Sequence, residues 1–167
     1  LRRAVLVASL GVLLAGCGRA AHEPEIDRNG AGARLERAAI SAGVVADPAL
    51  LDPIGAYGKE NDRACIVRAG KDYRIGASVD YGDGHGCLAR GSAKGAGKLA
   101  VTLGEGCRFD ARFDGRRLTF PPVLPAGCDG FCTGRASLTA LSVEWLSGAE
   151  SEAAALRGTD GKPLCGE

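Results

Sequence analysis

Two stretches of the chain hold residue types that do chemistry at close spacing. The first is "DYGDGHGC", residues 80–87, with Asp80, Asp83, His85 and Cys87 inside eight positions. A cation site would draw on these groups, but calcium loops require acidic ligands at alternate positions and a glutamate at the twelfth. Counted from Asp80, the third position is Gly82 and the twelfth is Gly91. Three glycines and an aspartate instead supply the positive φ and self-bonded carboxylate that a tight turn needs. The reading is therefore a turn with His85 exposed on it and no metal. The second stretch is Ser92-Ala93-Lys94, which has the spacing of a serine–lysine hydrolase. A lysine acts as a base only when desolvation lowers its pKa, and this one lies among glycines and polar residues. The chain has two histidines, so a histidine-based triad has only His85 to draw on once His22 is placed in a tether. No catalytic residue is assigned, and the expectation is a non-enzyme without a cofactor.

The cysteines carry the other chemistry. Cys65, Cys87, Cys107, Cys128, Cys132 and Cys165 form an even set, which in an exported chain implies three disulfides. Neither a C-x-x-C pair nor His-x₃₋₅-His spacing argues for zinc. Six cysteines allow 15 pairings; proximity suggests Cys128 with Cys132, and Cys165 as a tie between the C-terminus and the fold.

Export is read from the N-terminus. Arg2 and Arg3 precede an apolar run at 4–15, too short for a membrane span of about 20 residues but right for a secretory core. Leu14-Ala15-Gly16-Cys17 resembles the lipobox of bacterial lipoproteins. That resemblance implies cleavage before Cys17, diacylglycerol on its thiol and a third acyl chain on its amine. Gly18 in place of aspartate then implies the outer membrane, with the protein facing the periplasm. Removal of residues 1–16 takes two arginines with it. The mature chain then has 19 basic and 20 acidic residues, a balance with no basic excess for nucleic acid. Residues 17–31 read as a lipidated tether and 32–167 as one disulfide-bonded domain.

The elements that must position these groups follow from periodicity. Residues 32–43 show a helical pattern in Leu35, Ala38, Ala39 and Ala42, closed by Gly43. From Arg63 to Pro121 the pattern changes to period 2, with strands expected near 63–69, 72–81, 86–93, 98–103, 107–113 and 116–120. Apolar faces run through Tyr73, Ile75, Ala77, Val79 and Tyr81, then Leu99, Val101 and Leu103, then Phe109, Ala111 and Phe113, then Leu118 and Phe120. Asp114-Gly115 predicts a type I′ hairpin turn. "ASLTALSVEWLSG" reads as a helix with Leu138, Leu141, Trp145 and Leu146 on its core side. Ser147 to Glu150 reads as a capping box for a second helix over 151–157, stopped at Gly158. The expected class is mainly β (α+β): a six-stranded antiparallel meander or small barrel with one N-terminal helix and one or two C-terminal helices.

The loop from Pro121 to Gly134 is the candidate partner surface, with Asp129 and Phe131 between Cys128 and Cys132. A pinned aromatic anchors an interface at low entropy cost; the alternative is that Phe131 caps the barrel. "DRACIV", "GCLARG", "CRFDARFDG" and "CTGRASL" resemble segments of small alphaproteobacterial lipoproteins, a resemblance that implies no activity. The architecture alone is similar to that of periplasmic lysozyme inhibitors. The expected function is a lipid-anchored envelope protein with a non-catalytic binding or structural role and a periplasmic protein partner. Inhibition of a lysozyme-like enzyme and small-ligand binding inside the barrel are the alternatives.

Overall fold

The computed structural model describes residues 30–166, so the lipobox, Cys17 and His22 lie outside the described residues. Compactness divides the chain into two units, 1–38 and 39–167. Helix α1 (Ala31–Ser41) buries none of its residues. It ends where Gly43 takes φ 69°, with Gly43 N–H donating to Ile40 O and Val44 N–H to Ala39 O. That pair of bonds is a Schellman cap.

The second unit is an eight-stranded closed antiparallel barrel, in which every strand pairs with its sequence neighbours and β1 closes on β8. The strands are β1 (Gly55–Lys59), β2 (Asp62–Ala69), β3 (Asp72–Asp80), β4 (Gly86–Gly95), β5 (Lys98–Gly104), β6 (Cys107–Phe113), β7 (Arg117–Thr119) and β8 (Ser142–Ser147). Six match the expected strands closely. β1 was absent from the expectation because "GAYGK" is two-fifths glycine, a composition depleted in strands. β8 overturns the helix expected at "ASLTALSVEWLSG". Leu138 and Leu141 do share helical spacing, but both lie in the loop above the barrel, and Val143 then enters the interior as a strand residue. Trp145, expected in the core, is 45% exposed.

An eight-stranded barrel is just wide enough for side chains to fill it. Tyr57, Ile66, Ile75, Leu99, Phe113, Leu118 and Val143 do so from seven strands, and β4 adds the small Ala89 and Ala93. Tyr73 and Phe109 are half-buried at the edges of that set, and Tyr81 lies past the end of β3 and is exposed. A second, smaller core lies outside the wall. There Ala56, Cys65 and Val67 face Ala153 of α2 (Glu150–Ala155) and Leu164 and Cys165 of the C-terminal tail. Gly76 makes this layer possible: a Cβ there would sit 2.4 Å from Leu164 O.

The capping box is corrected. Ala149 is the N-cap, Ser147 Oγ accepts from Ala149 N–H, and Glu150 Oε1 reaches across to accept from Arg68 N–H. The helix ends at Ala155 with Leu156 as its C-cap, so Gly158 does not stop it. The type I′ turn is corrected too. Only Gly115 has positive φ, whereas that turn needs it at both central residues. Asp114 Oδ1 instead accepts from Arg116 N–H at 2.9 Å and Arg117 N–H at 2.8 Å, and the connection between β6 and β7 is the three residues 114–116.

The barrel has two distinct mouths. At the upper one are the β3–β4 and β5–β6 turns, covered by the long β7–β8 connection that holds a 3₁₀ helix, Ala126–Phe131. At the lower one, residues 48–54 cross beneath the β4–β5 and β6–β7 turns. Gly97 N–H donates to Pro48 O at 2.8 Å, and the Tyr57 hydroxyl donates to Pro53 O.

Candidate functional site: the disulfide-pinned mouth

All six cysteines of the domain are paired: Cys65–Cys165, Cys87–Cys132 and Cys107–Cys128. The tie through Cys165 is as expected. The pairing of Cys128 with Cys132 is not: each cysteine of that loop reaches a different strand start, Cys128 to β6 and Cys132 to β4. Strand order brings those starts to one mouth, which no local spacing reveals.

The consequence is that the "DYGDGHGC" turn and the 121–134 loop, weighed separately in the sequence, meet. Beside the Cys87–Cys132 bond, Thr133 N–H donates to Gly86 O at 2.8 Å. Thr133 Oγ1 donates to Gly84 O at 2.8 Å and accepts from Gly86 N–H at 3.3 Å. Between them lies a cleft of about 220 Å³, lined by Asp80, His85, Leu88, Phe131 and Thr133 together with Thr159 of the tail.

Within it Asp80 and Cys87 are committed to structure. "DYGDGHGC" is a turn: Gly82, Asp83 and Gly84 all have positive φ, and Asp80 Oδ1 accepts from Gly82 N–H at 2.9 Å. His85 is not exposed on this turn as expected; it is half-buried, and its Nδ1 is buried without a hydrogen-bond partner. The ring lies against Gly134, where a Cβ would come within 1.6 Å of Nδ1. Among the described residues no three His, Cys, Asp or Glu side chains gather as metal ligands.

The two candidate partner residues part company. Asp129 is exposed on the 3₁₀ helix. Phe131 is half-buried, packs on the interior cluster and lies over Gly104, with its Cζ 2.9 Å from where a Cβ would stand. It caps the upper mouth. Val123, 81% exposed on the same connection, is the apolar side chain actually displayed, and only its position between prolines distinguishes it in sequence. Ser92 and Lys94 both face outward from β4, and Lys94 Nζ pairs with Asp72 at 2.9 Å.

A second concavity, of about 410 Å³, opens at the lower mouth and is lined by Asp114, Arg116, Arg117, Glu144 and Trp145. Trp145 N–H donates to Arg116 O at 2.7 Å, and its indole N–H donates to Ile54 O at 3.4 Å. Arg117 pairs with Glu144 at 2.9 Å. Partial burial pushes the Asp114 carboxyl up, but the two backbone N–H donors and the charges of Arg117 and Arg112 outweigh it and hold it below the ordinary carboxylate range. Sequence reasoning missed this site because it assigned Trp145 to a helix core; the Arg116-Arg117 pair after Asp-Gly was the available signal.

Fold and site together define a disulfide-bonded, side-chain-filled antiparallel β-barrel with one covered and cross-linked mouth. No family model, curated protein or solved structure matches the chain.

Proposed function

We propose that this chain is a lipid-anchored cell-envelope protein whose role is non-catalytic binding, exercised through the disulfide-pinned upper mouth. The observation that carries the reading is the pair of bonds Cys87–Cys132 and Cys107–Cys128, which fix the Asp129 loop to two different strands. A loop held in one conformation before it meets a partner avoids most of the ordering cost of binding. Disulfides persist in oxidising compartments, which supports export and a periplasm-facing location. The lipobox-like Leu14-Ala15-Gly16-Cys17 supports an acylated anchor at Cys17, and Gly18 supports the outer membrane.

The exposed carboxylate of Asp129, flanked by two cross-linked cysteines, also fits a narrower version in which the loop enters an enzyme's cleft as an inhibitor. One experiment tests both. A photo-crosslinking amino acid at position 129, in cells, is expected to capture a discrete protein partner, while the same group at position 71 on the lower mouth does not. A lysozyme-like enzyme in the adduct selects the inhibitor reading. Equal labelling from both positions, or none from 129, overturns the upper mouth as a binding surface. Intact mass of protein purified from its membranes tests the anchor separately. A chain beginning at Cys17 and carrying three acyl chains is expected, and a chain without acyl groups removes it.

A further inference from the structure

We propose that the lower mouth is a lipid-facing surface, at which Leu50 and Trp145 enter the headgroup region of a bilayer and Arg116 meets lipid phosphate. The proposal rests on the anchor reading for the origin of the tether, and on independent observations for the surface itself.

The first observation is exposure of large apolar side chains. Leu50 is 82% exposed and Trp145 45%. Both lie at this mouth: Trp145 is bonded through its indole to Ile54, and residues 48–54, which carry Leu50, run under the β4–β5 and β6–β7 turns. Tryptophan with one apolar face and one polar edge suits a membrane–water interface.

The second observation is charge commitment. Asp114 spends its carboxylate on two backbone N–H groups, and Glu144 is held by Arg117. Arg116 is exposed in the same cleft as Trp145, and among the described residues lining it no carboxylate is paired with it, so the cleft offers a cation and an indole to an incoming group. That combination fits a phosphate with acyl chains beneath it.

The third is the path of the chain. Traced back from β1, the backbone leaves the barrel at this mouth through residues 54 to 44, the N-terminal direction in which the sequence carries Cys17. Val44 and Val45, 78% and 49% exposed, lie on that path. The upper mouth, which carries the candidate partner loop, then points away from the bilayer.

The test uses the chain's single tryptophan. Protein purified with its acyl chains is placed in vesicles of phosphatidylethanolamine and phosphatidylglycerol that carry bromine near the top of the acyl chains. Side chains buried ~5–10 Å into the interface lie within reach of such quenchers, so Trp145 should lose about half its emission or more and shift to the blue. The double variant Trp145→Phe/Tyr81→Trp, which moves the reporter to the exposed Tyr81 position at the upper mouth, should keep its emission. Leu50→Glu, at an exposed position that does not threaten folding, should restore the emission of Trp145. Unquenched Trp145 in an acylated, vesicle-bound protein overturns the proposal and leaves the anchor standing. Equal quenching at both mouths overturns it as well. A blue shift that follows protein concentration without vesicles reveals a second copy of the chain on this face and also overturns it. Protein that carries no acyl groups yet shows quenching on addition of vesicles removes the anchor and keeps the surface.

Discussion

Replacing both Cys65 and Cys165 with alanine should cost the fold about 4 kcal/mol, and the connectivity says why it is not more. A cross-link stabilises chiefly by removing conformations from the unfolded chain, by an amount that grows with the logarithm of the loop it closes. Cys65 and Cys165 are 100 residues apart, which alone would predict about 4.7 kcal/mol. In the unfolded chain, however, Cys87–Cys132 is a shortcut. The path is 22 residues from Cys65 to Cys87 and 33 from Cys132 to Cys165, a ring of about 55 residues worth about 4.2 kcal/mol. Both sulfurs are fully buried, so their removal adds a small packing loss. Alanine avoids the buried hydroxyl that serine would introduce. The tail keeps its other ties. Leu164 remains over Gly76, Arg90 holds Asp160 at 2.9 Å and Pro163 O at 3.0 Å, and Arg74 donates to Cys165 O at 3.0 Å. The folded barrel should therefore survive. Urea unfolding of the non-reduced variant, with the other two disulfides verified by mass, should show the loss together with a larger m-value, because the longer unfolded chain exposes more surface. A loss below about 1 kcal/mol with an unchanged m-value would refute the chain-entropy reasoning.

Two further predictions concern single side chains. Tyr57→Phe leaves the Pro53 carbonyl without its buried donor and should cost about 1–2 kcal/mol at neutral pH. Burial first, and then the charge of Asp52, raise the Tyr57 phenol far above its ordinary value of 10.0. The stability held by the neutral phenol is thus fully present below that value and is lost as pH rises from it towards the raised folded value. Melting temperatures measured across that alkaline range should fall in the parent and stay flatter in the variant; parallel curves would refute the assignment. Gly134→Ala places a Cβ against His85 Nδ1 at φ 65°, whereas Gly84→Ala meets nothing within 4 Å at φ 76°. Both pay about 1–2 kcal/mol for left-handed backbone, so urea midpoints should show Gly134→Ala as clearly the worse, and equal midpoints would remove His85 as the piece that holds the loop down.

The barrel's middle was legible because its apolar inward residues recur at every second position, even in β2 and β3, whose outer faces are also buried. Ile75, Ala77 and Val79 alternate with residues under or beside the tail, and Leu99, Val101 and Leu103 alternate with solvent-facing ones. A period of 2 survives in such strands. It fails in β1, where Tyr57 is the one large residue and its neighbours Gly55, Ala56 and Gly58 are small and buried, so no alternation shows. One face of that strand turns to the interior and the other lies under α2 and β8 side chains, so nothing polar marks an outer face. It fails in β8 for the opposite reason. Trp145 and Leu146 are adjacent, apolar and both exposed, and with Leu138 and Leu141 they imitate a helical stripe. Closure of the barrel runs through these two strands, which is why the sequence left meander and small barrel as alternatives with six strands instead of eight.

At the upper mouth the residue types were legible and their employment was not. Asp80, His85 and Cys87 look like a ligand set while they are considered alone. Each has a structural task once the 120–134 connection lies beside them: Asp80 closes its own turn, Cys87 is bonded to Cys132, and His85 is covered by Gly134. A group already held by the backbone cannot also be offered to a partner without breaking what holds it. On the proposed binding role, recognition at this mouth would fall to side chains without such a task, such as Asp129 and Val123, carried on a loop that two cross-links hold in place.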